Sequence, residues 1–257
     1  MGATIRVAIA GAAGRMGREL ARAVRDAEGL ALAAAIERAE HPSLGEAIEG
    51  VPLTADLFPA LERCDVLVDF TAPPATARLA DAAVKARVAF LSGTTGLREE
   101  DRAALARAAK EIAVLHAANL SIGVALLRKL ASEAAAALPS FDIEIVEMHH
   151  RHKADAPSGT ALEIARAIEA ARPGLERVMG RSGRTGERRR EEIGIHALRG
   201  GEVVGEHEVI FAGEGERVIL AHRADSRAVL AAGAVRAIRF LAGRSPGLYG
   251  TSDLLQR

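Results

Sequence analysis

The sequence is poor in residues on which several classes of protein depend. Among its 257 residues there is no tryptophan, one tyrosine and one cysteine, and lysine plus arginine equals aspartate plus glutamate at 34 each. The scarcity of large aromatic side chains removes the stacking platforms of single-strand nucleic-acid binders. The balanced charge favours neither nucleic acid nor a membrane surface as a partner. A single cysteine excludes an internal disulfide and a cysteine-based metal site.

Long hydrophobic runs are also missing. No apolar stretch approaches the roughly 20 residues of a transmembrane helix. The N-terminal residues lack the cationic and apolar regions of a signal peptide. We therefore expect a cytoplasmic protein whose partner is a small molecule.

Strand-like and helix-like segments alternate through the first half of the chain, which predicts an α/β fold with a doubly wound parallel sheet. From Ile122 the pattern changes, beginning with an alanine-rich helix that we expect to end at Ala137. Residues 180–192 are dense in arginine and glycine and predict a mobile, exposed loop. Three later strand-like runs, at 193–198, 203–211 and 217–222, are separated by glycine turns and predict an antiparallel meander.

A glycine-rich turn follows the first strand-like run. The run Ile5–Ala10 leads into residues 11–17, which read GAAGRMG, and a helical pattern and a second strand, Leu30–Ile36, come next. Glycines let the backbone turn tightly and approach a pyrophosphate at a helix N-terminus. Glu37 follows at about the 20-residue separation at which an acidic residue binds the ribose hydroxyls. The GxxGxxG spacing departs from GxGxxG, but the βαβ context predicts a dinucleotide site.

Three further loops leave strand-like segments on what should be the same edge of the sheet. They are residues 69–74, which include Phe70, residues 93–96, and residues 117–121. Ligands of doubly wound sheets bind at the carboxyl ends of the strands. Each loop alone is typical of an ordinary turn, whereas together they predict the rim of a cofactor site.

Residues 144–161, EIVEMHHRHKADAPSGTA, carry the most chemistry. Ionisable side chains are costly to bury without partners, so this run is unsuited to a hydrophobic core. We expect a strand that leads into a loop, with Ser158 as the N-cap of a helix at 161–171. A helix N-terminus attracts carboxylates and phosphates. The segment predicts acid–base chemistry on an anionic substrate.

Two other interpretations of the histidine cluster stay open. The cluster would also suit a solvated loop, or a metal site in which His150 and His152 share one face of a continued strand. Arg151 and Lys153 would place two cations inside that ligand set, which argues against a metal.

The same segment resembles the signature of the bacterial dihydrodipicolinate reductase family, now usually named 4-hydroxy-tetrahydrodipicolinate reductase. The matching residues are 144–149, Lys153, Asp155 and 157–161, and the resemblance extends in order through residues 11–17, 37–38, 69–71, 93–96, 118–119 and 205–207. It therefore spans nearly the whole chain. It implies an NAD(P)H-dependent reductase of the diaminopimelate and lysine pathway.

The resemblance also implies an architecture and residue roles. A Rossmann-type domain would comprise residues 1–120 and 227–257, and residues 121–226 would form a smaller α+β domain with an open mixed sheet for substrate binding and oligomerisation, in a homotetramer. His149 matches the proton donor and acceptor, and Lys153 the second proton donor. Substrate-binding positions match His150, Gly159 and Thr160. Ser158 joins this set because the backbone of residues 158–160 can hold a carboxylate at the helix start. Cofactor-binding positions match Gly11, Ala12, Ala13, Gly14, Arg15, Met16, Gly17, Glu37, Arg38, Phe70, Gly93, Thr94, Thr95, Ala117, Ala118, Asn119 and Leu120.

The implied substrate is a small dicarboxylate, and the implied cofactor is NADH or NADPH, with no metal. Ala72 and Leu120 stand where some members of the family have arginine and phenylalanine, so contacts with the coenzyme will differ there. Two alternatives remain: a metal-dependent hydrolase using the histidine cluster, and a non-catalytic NAD(P)-sensing protein. The pairing of His149 with Lys153 as proton donors favours the enzyme over the sensor.

Overall fold

A computed structural model describes residues 3–255. Contacts divide the chain into two compact units, one comprising the chain up to Ile122 together with the chain from Ala228 onward, and the other Gly123–Arg227. None of the helices in the described part of the chain is long and apolar enough to cross a membrane. The roles predicted for the two domains stay predictions.

Thirteen strands and seven α-helices are found among residues 3–255. The strands are β1 Ile5–Ala10, β2 Leu30–Ile36, β3 Ala47–Ile48, β4 Val51–Thr54, β5 Val66–Asp69, β6 Ala89–Ser92, β7 Ala113–His116, β8 Asp142–His149, β9 Glu176–Met179, β10 Glu192–Arg199, β11 Gly205–Ala212, β12 Arg217–Ala224 and β13 Gly247–Tyr249. The helices are α1 Arg15–Asp26, α2 Leu57–Leu61, α3 Pro73–Ala86, α4 Glu99–Ala108, α5 Ile122–Ala137, α6 Gly159–Ala171 and α7 Ala228–Leu241, and a 3₁₀ turn spans Asp253–Leu255.

The sheet of the first unit confirms the predicted Rossmann-type fold. Its strand order is β13-β7-β6-β5-β1-β2-β4-β3. Every pairing is parallel except that between β3 and β4. Apolar clusters cover both faces of this sheet, as a parallel sheet requires. Because the chain leaves β1 towards β2 on one side and returns to β5 on the other, the carboxyl ends of β1 and β5 flank the crevice in which such sheets bind ligands.

Several elements of this unit differ from the sequence-based expectation. Helices α1 and α3 begin earlier than predicted, at Arg15 and Pro73, which lie inside the predicted turn 11–17 and the predicted loop 69–74. Proline is tolerated in the first helical turn, whose N–H groups lack intrahelical partners. Strand β13 lies in a tail that showed no strand pattern, and it extends the sheet by pairing with β7.

The sheet of the second unit is mixed, in the order β12-β11-β8-β10-β9. The predicted three-strand antiparallel meander is wrong, because β10 pairs in parallel with β8 and β9. Only β11 and β12 form the expected antiparallel pair, and β11 pairs with β8 on its other side. Turn residues between consecutive strands suggested a hairpin, but β8 lies between β10 and β11. The mixed sheet expected from the family resemblance is confirmed.

Helices α5 and α6 pack on one face of this sheet. Their side chains Leu127 and Ile164 join Ile143, Ile145 and Phe211 in a buried core. The alternation along β8 places Glu144 and Val146 on the opposite face. That face leaves Leu198 and Ile219 exposed by 49% and 52%.

The arginine-rich loop is largely exposed but is tied to this opposite face. The guanidinium groups of Arg181 and Arg188 each donate to Glu144 at 2.9 Å, and Arg188 also reaches Asp142 at 2.7 Å. Burial acts to raise the pKa of Glu144, but hydrogen bonds from Arg181, His196 and Arg188 outweigh it and hold the pKa at about 2. The expectation of a mobile loop missed these ion pairs, because their partners lie far away in sequence.

Candidate active site

A pocket of about 400 Å³ lies at the carboxyl ends of β1, β2 and β5. Six of the predicted cofactor residues line it: Gly11, Ala13, Gly14, Glu37, Arg38 and Phe70. The lining also includes Thr71, which belongs to the predicted rim loop 69–74, and His41 and Arg78, which the sequence analysis did not select. A cavity of about 530 Å³ at the amino ends of the strands, beside Cys64 and Arg87, contains none of the predicted residues.

The glycines of the first loop are required by close backbone approaches. Gly11 has φ +79°, and a Cβ added to it would lie 2.4 Å from the carbonyl oxygen of Phe70. A Cβ at Gly17 would lie 2.1 Å from the carbonyl oxygen of Gly11. Helix α1 begins at Arg15, within this glycine-rich run, so its first amides lie at the turn. The loop therefore offers a cradle for a pyrophosphate, which an added side chain would destroy.

Glu37 lies immediately after β2 and faces the glycine loop. Its Oε1 accepts a hydrogen bond of 3.2 Å from the amide of Ala13. This contact places the carboxylate beside the turn, as binding of ribose hydroxyls requires. Arg38 and Arg78 add two guanidinium groups to the same pocket, which suits a phosphate on the ribose. The residues present fit a dinucleotide.

Asp69, fully buried at the end of β5, organises the rim of the pocket. Its Oδ1 accepts from the amide and hydroxyl of Thr71 at 3.0 and 2.6 Å. Its Oδ2 accepts from the hydroxyls of Thr76 and Ser92 at 2.7 and 2.9 Å. One carboxylate thus joins the loop after β5, helix α3 and strand β6. An acidic residue that ends an apolar strand was the available signal for this role.

The other predicted rim residues lie close to this network. Thr94 Oγ1 accepts from the amide of Thr71 at 3.2 Å, and the ring of His116 contacts the Thr94 carbonyl oxygen at 3.2 Å. A Cβ at Gly93 would lie 2.4 Å from the ring of Phe70. The amide of Ala117 donates to the carbonyl oxygen of Ser92 at 3.1 Å. The loops after β5, β6 and β7 therefore meet at one edge.

Some predicted cofactor residues do not line the pocket. The side chains of Ala12, Ala117 and Leu120 belong to the apolar core. The remaining residues of the set, Arg15, Met16, Gly17, Gly93, Thr94, Thr95, Ala118 and Asn119, lie on the surrounding loops and the first turn of α1. Contact with a cofactor at the three core positions would involve the backbone.

In the second unit, β8 extends to His149, so that histidine lies at the end of a strand and not on a loop as expected. The position holds the imidazole close to a carboxylate two residues back, since alternate side chains share a face. His149 Nδ1 lies 2.6 Å from Glu147 Oε2. His149 is mostly buried, and Glu147 is 0% exposed.

Glu147 is a residue whose role the sequence analysis missed. It also accepts from both terminal nitrogens of Arg199 at 2.9 Å and from the amide of Ser158 at 3.0 Å. Burial acts to raise the pKa of Glu147, but the hydrogen bonds from His149, Arg199 and the Ser158 amide outweigh it and hold the pKa at about 2. The carboxylate is therefore charged at neutral pH.

The start of α6 confirms Ser158 as the N-cap. Its Oγ accepts from the amide of Ala161 at 3.1 Å and lies 3.2 Å from Nε2 of His207, a buried residue that the sequence analysis did not select. Gly159 is exposed at the first turn, and a Cβ there would meet nothing within 4 Å. Space for a ligand therefore exists beside an amide-rich helix terminus.

Lys153 lies on the loop between β8 and α6. Its Nζ donates to both carboxylate oxygens of Asp155 at 2.8 Å, and this hydrogen bond lowers the pKa of Asp155. The ring of His150 lies 6.2 Å from that of His152, which contacts Glu202 at 3.6 Å. Among residues 3–255 no group of three or more histidine, cysteine, aspartate or glutamate side chains could hold a metal ion.

Comparison with known proteins follows the division of the chain. The N-terminal model of dihydrodipicolinate reductase matches residues 5–120, and its C-terminal model matches residues 123–255. A protein of Alkalilimnicola ehrlichii named 4-hydroxy-tetrahydrodipicolinate reductase is 49% identical, covering 98% of this chain and 99% of that protein. A protein of Thiobacillus denitrificans with the same name is 48% identical, covering 98% of both chains.

A solved structure gives the same result. The dipicolinate-bound dihydrodipicolinate reductase from Paenisporosarcina sp. TG-14 aligns with a TM-score of 0.79 and 28% identity, covering 98% of this chain and 100% of that chain. Together the two family models match nearly the whole chain in order. The chain belongs to the dihydrodipicolinate reductase family.

Proposed function

We propose that the protein reduces 4-hydroxy-tetrahydrodipicolinate to tetrahydrodipicolinate with NADH or NADPH, in diaminopimelate and lysine biosynthesis. One observation supports this most strongly. In the segment that carries the family signature, the imidazole of His149 is held by a buried carboxylate that also binds the first residue of the α6 N-terminus. This arrangement supports a site in which a proton-transferring group lies next to a binding position for an anion.

The substrate's carboxylates suit the donors of this segment. The first amides of α6 lie at the positive end of the helix dipole, with Gly159 leaving space for a ligand. Lys153 supplies an ammonium group that Asp155 holds in place. His150 and Thr160 complete the proposed set. A dicarboxylate would use one anionic group at the helix terminus and offset the other with Lys153.

The nicotinamide cofactor, when bound, would supply a hydride to the conjugated imine that forms when the substrate loses its 4-hydroxyl group as water. The first unit supplies the cradle of Gly11 and Gly17 for the pyrophosphate and Glu37 for the ribose. Asp69 holds the surrounding loops. In the second unit, His149 delivers a proton to the ring, and Lys153 serves as the second proton donor. A positioned general acid or base contributes typically ~10²–10⁴-fold to the rate.

The two alternatives have less support. A metal-dependent hydrolase would need a ligand cluster, and the family shared with named reductases points instead to redox chemistry. A non-catalytic NAD(P) sensor does not require a buried carboxylate, such as that of Glu147, in contact with the imidazole of His149. Stoichiometric zinc in the purified protein would argue for the hydrolase.

Single alanine variants of His149 and Lys153 test the assignment. Each should lower kcat at least tenfold, a loss of about 1.4 kcal/mol of barrier stabilisation or more, with NADH binding nearly unchanged because the glycine cradle is intact. The assay follows NAD(P)H absorbance with the product of the preceding synthase. His152→Ala is the matched control, since His152 belongs to the same cluster but is 69% exposed. A His149→Ala enzyme that kept more than a tenth of kcat would refute its role.

We also propose that the protein works as a cytoplasmic homotetramer. The exposed apolar residues Leu198 and Ile219 on the mixed sheet support assembly through that face. Light scattering coupled to size-exclusion chromatography should give four times the chain mass, and Ile219→Glu should lower it. A monomeric wild-type protein would refute this assembly.

A further inference from the structure

The Glu147 carboxylate connects three elements of the second unit. Oε2 lies 2.6 Å from Nδ1 of His149 at the end of β8. Oε1 accepts the Ser158 amide at 3.0 Å, at the N-cap of α6. Arg199 on β10 donates one terminal nitrogen to each oxygen at 2.9 Å. The imidazole and the helix terminus are therefore positioned by opposite oxygens of one group.

The chemistry of the carboxylate determines which imidazole nitrogen carries a proton. An ionised carboxylate only accepts hydrogen bonds. With its pKa at about 2, Glu147 is ionised throughout the neutral range. Nδ1 of His149 must therefore be the donor in this contact. Nε2 is left as the nitrogen that exchanges a proton with a bound ligand.

The surroundings of the ring agree with this assignment. The ring of His207 meets that of His149 edge-on, with centroids 5.2 Å apart and an interplanar angle of 77°. Burial lowers the pKa of His207 to about 3, so it adds no charge at neutral pH. A Cβ at Gly205 would lie 3.1 Å from Nε2 of His149, so glycine leaves space at that atom.

We propose that Glu147 is the positioning residue of the active site. It fixes His149 with its proton on Nδ1, and it sets the position of Nε2 relative to the N-terminus of α6. The proposal rests on the function proposed above, in which His149 transfers a proton and α6 binds a substrate carboxylate. Because one carboxylate holds both groups, the separation between proton donor and substrate anchor is set by a single side chain. A fixed separation of this kind is required for proton transfer, because the donor must lie within hydrogen-bonding distance of the substrate.

Arg199 has a second part in this arrangement. Its guanidinium also donates to the carbonyl oxygen of Asp155 at 2.6 Å, and Asp155 in turn holds Lys153. Arg199 offsets the buried charge of Glu147 through a bidentate pair, the geometry best suited to a carboxylate. Both proposed proton donors are thus linked to Glu147.

The test compares Glu147→Gln with wild type by two measurements. A glutamine keeps the size of the side chain but replaces one acceptor oxygen with an NH₂ donor, so it cannot accept from both His149 and Ser158. NMR of isotope-labelled imidazole nitrogens at alkaline pH should show the His149 proton on Nδ1 in wild type and not in the variant. The variant's kcat should fall by ~10²-fold, with KM changed by less than roughly threefold.

Glu144→Gln is the matched control. Glu144 lies on the same strand, binds two arginines and a histidine where Glu147 binds one arginine and a histidine, and faces away from His149. Its kcat should stay within about twofold of wild type. If Glu144→Gln lowers kcat as much as Glu147→Gln does, general disturbance of the strand explains the loss and the proposal is wrong.

The Glu147→Gln substitution destabilises the fold, because it leaves the guanidinium of Arg199 without its carboxylate partner. The double variant E147Q/R199M removes that unpaired charge and should fold better while staying as slow. The wild-type NMR measurement needs no variant, and neutral His149 with its proton on Nε2 would overturn the proposal. Failure of the proposed function is distinguishable, because a wild-type protein that does not oxidise NAD(P)H with the product of the preceding synthase would refute that function whatever the tautomer of His149.

Discussion

Replacing Gly11 with alanine should damage both the fold of the first unit and cofactor binding. The left-handed φ of +79° costs an L-residue about 1–2 kcal/mol. The added Cβ would also lie 2.4 Å from the Phe70 carbonyl oxygen, and backbone shifts of this kind cost typically 1–3 kcal/mol. We expect a destabilisation of about 2–5 kcal/mol in total.

Gly29→Ala separates the two contributions. Gly29 has φ +75°, but a Cβ there would meet nothing within 4 Å. The control therefore carries only the conformational cost, and we expect a loss of about 1–2 kcal/mol. Urea unfolding should be followed by far-ultraviolet circular dichroism, because the chain has no tryptophan and one tyrosine.

Cofactor affinity provides the second measurement. Phe70 lines the proposed nucleotide pocket, so displacing its backbone should weaken NADH binding at least tenfold in Gly11→Ala, a change of about 1.4 kcal/mol. Gly29→Ala should bind NADH normally. Equal stability of the two variants, together with equal NADH affinity, would show that the close approach to Phe70 has no energetic consequence.

Two other variants test electrostatic inferences. Arg38→Ala should weaken NADPH binding far more than NADH binding, because the carboxylate of Glu37 suits ribose hydroxyls while a guanidinium suits a phosphate. The effect should shrink with added salt. An equal loss for both coenzymes would assign the phosphate to another group, such as Arg78 in the same pocket. Glu144→Gln should lower stability at neutral pH by about 3 kcal/mol. Because the pKa of Glu144 is depressed to about 2, its contribution is present above the ordinary range near 4.5 and is lost as the pH falls towards 2. Stability curves of wild type and variant should therefore converge in acid, and a constant difference across that range would contradict the reasoning.

Local pattern was sufficient for much of the fold. The apolar runs at Ile5–Ala10 and Leu30–Ile36 are strands with the predicted bounds, and the alanine-rich helix Ile122–Ala137 is found as expected. Ser158 caps its helix because a serine hydroxyl before a helical pattern accepts from the backbone nearby. These features depend on neighbours within a few residues, which periodicity and turn chemistry describe well.

Pairing between distant segments was decided by tertiary structure. The insertion of β8 between β10 and β11 replaced the expected meander, because strand order depends on which faces bury apolar surface together and not on the turns between consecutive strands. Strand β13 exists through its pairing with β7, although its own sequence shows no strand pattern.

The same division holds within the proposed active site. The sequence by itself determined that His149, Lys153 and Ser158 lie together in one charged segment before a helix, because these residues are neighbours in the chain. Only the tertiary structure decided that Glu147 is buried and accepts hydrogen bonds from Arg199, 52 residues away. The same holds for Asp69, which accepts hydrogen bonds from hydroxyl groups of two other elements. A carboxylate is stable inside a protein only when donors surround it, and those donors are brought there by packing of elements distant in sequence.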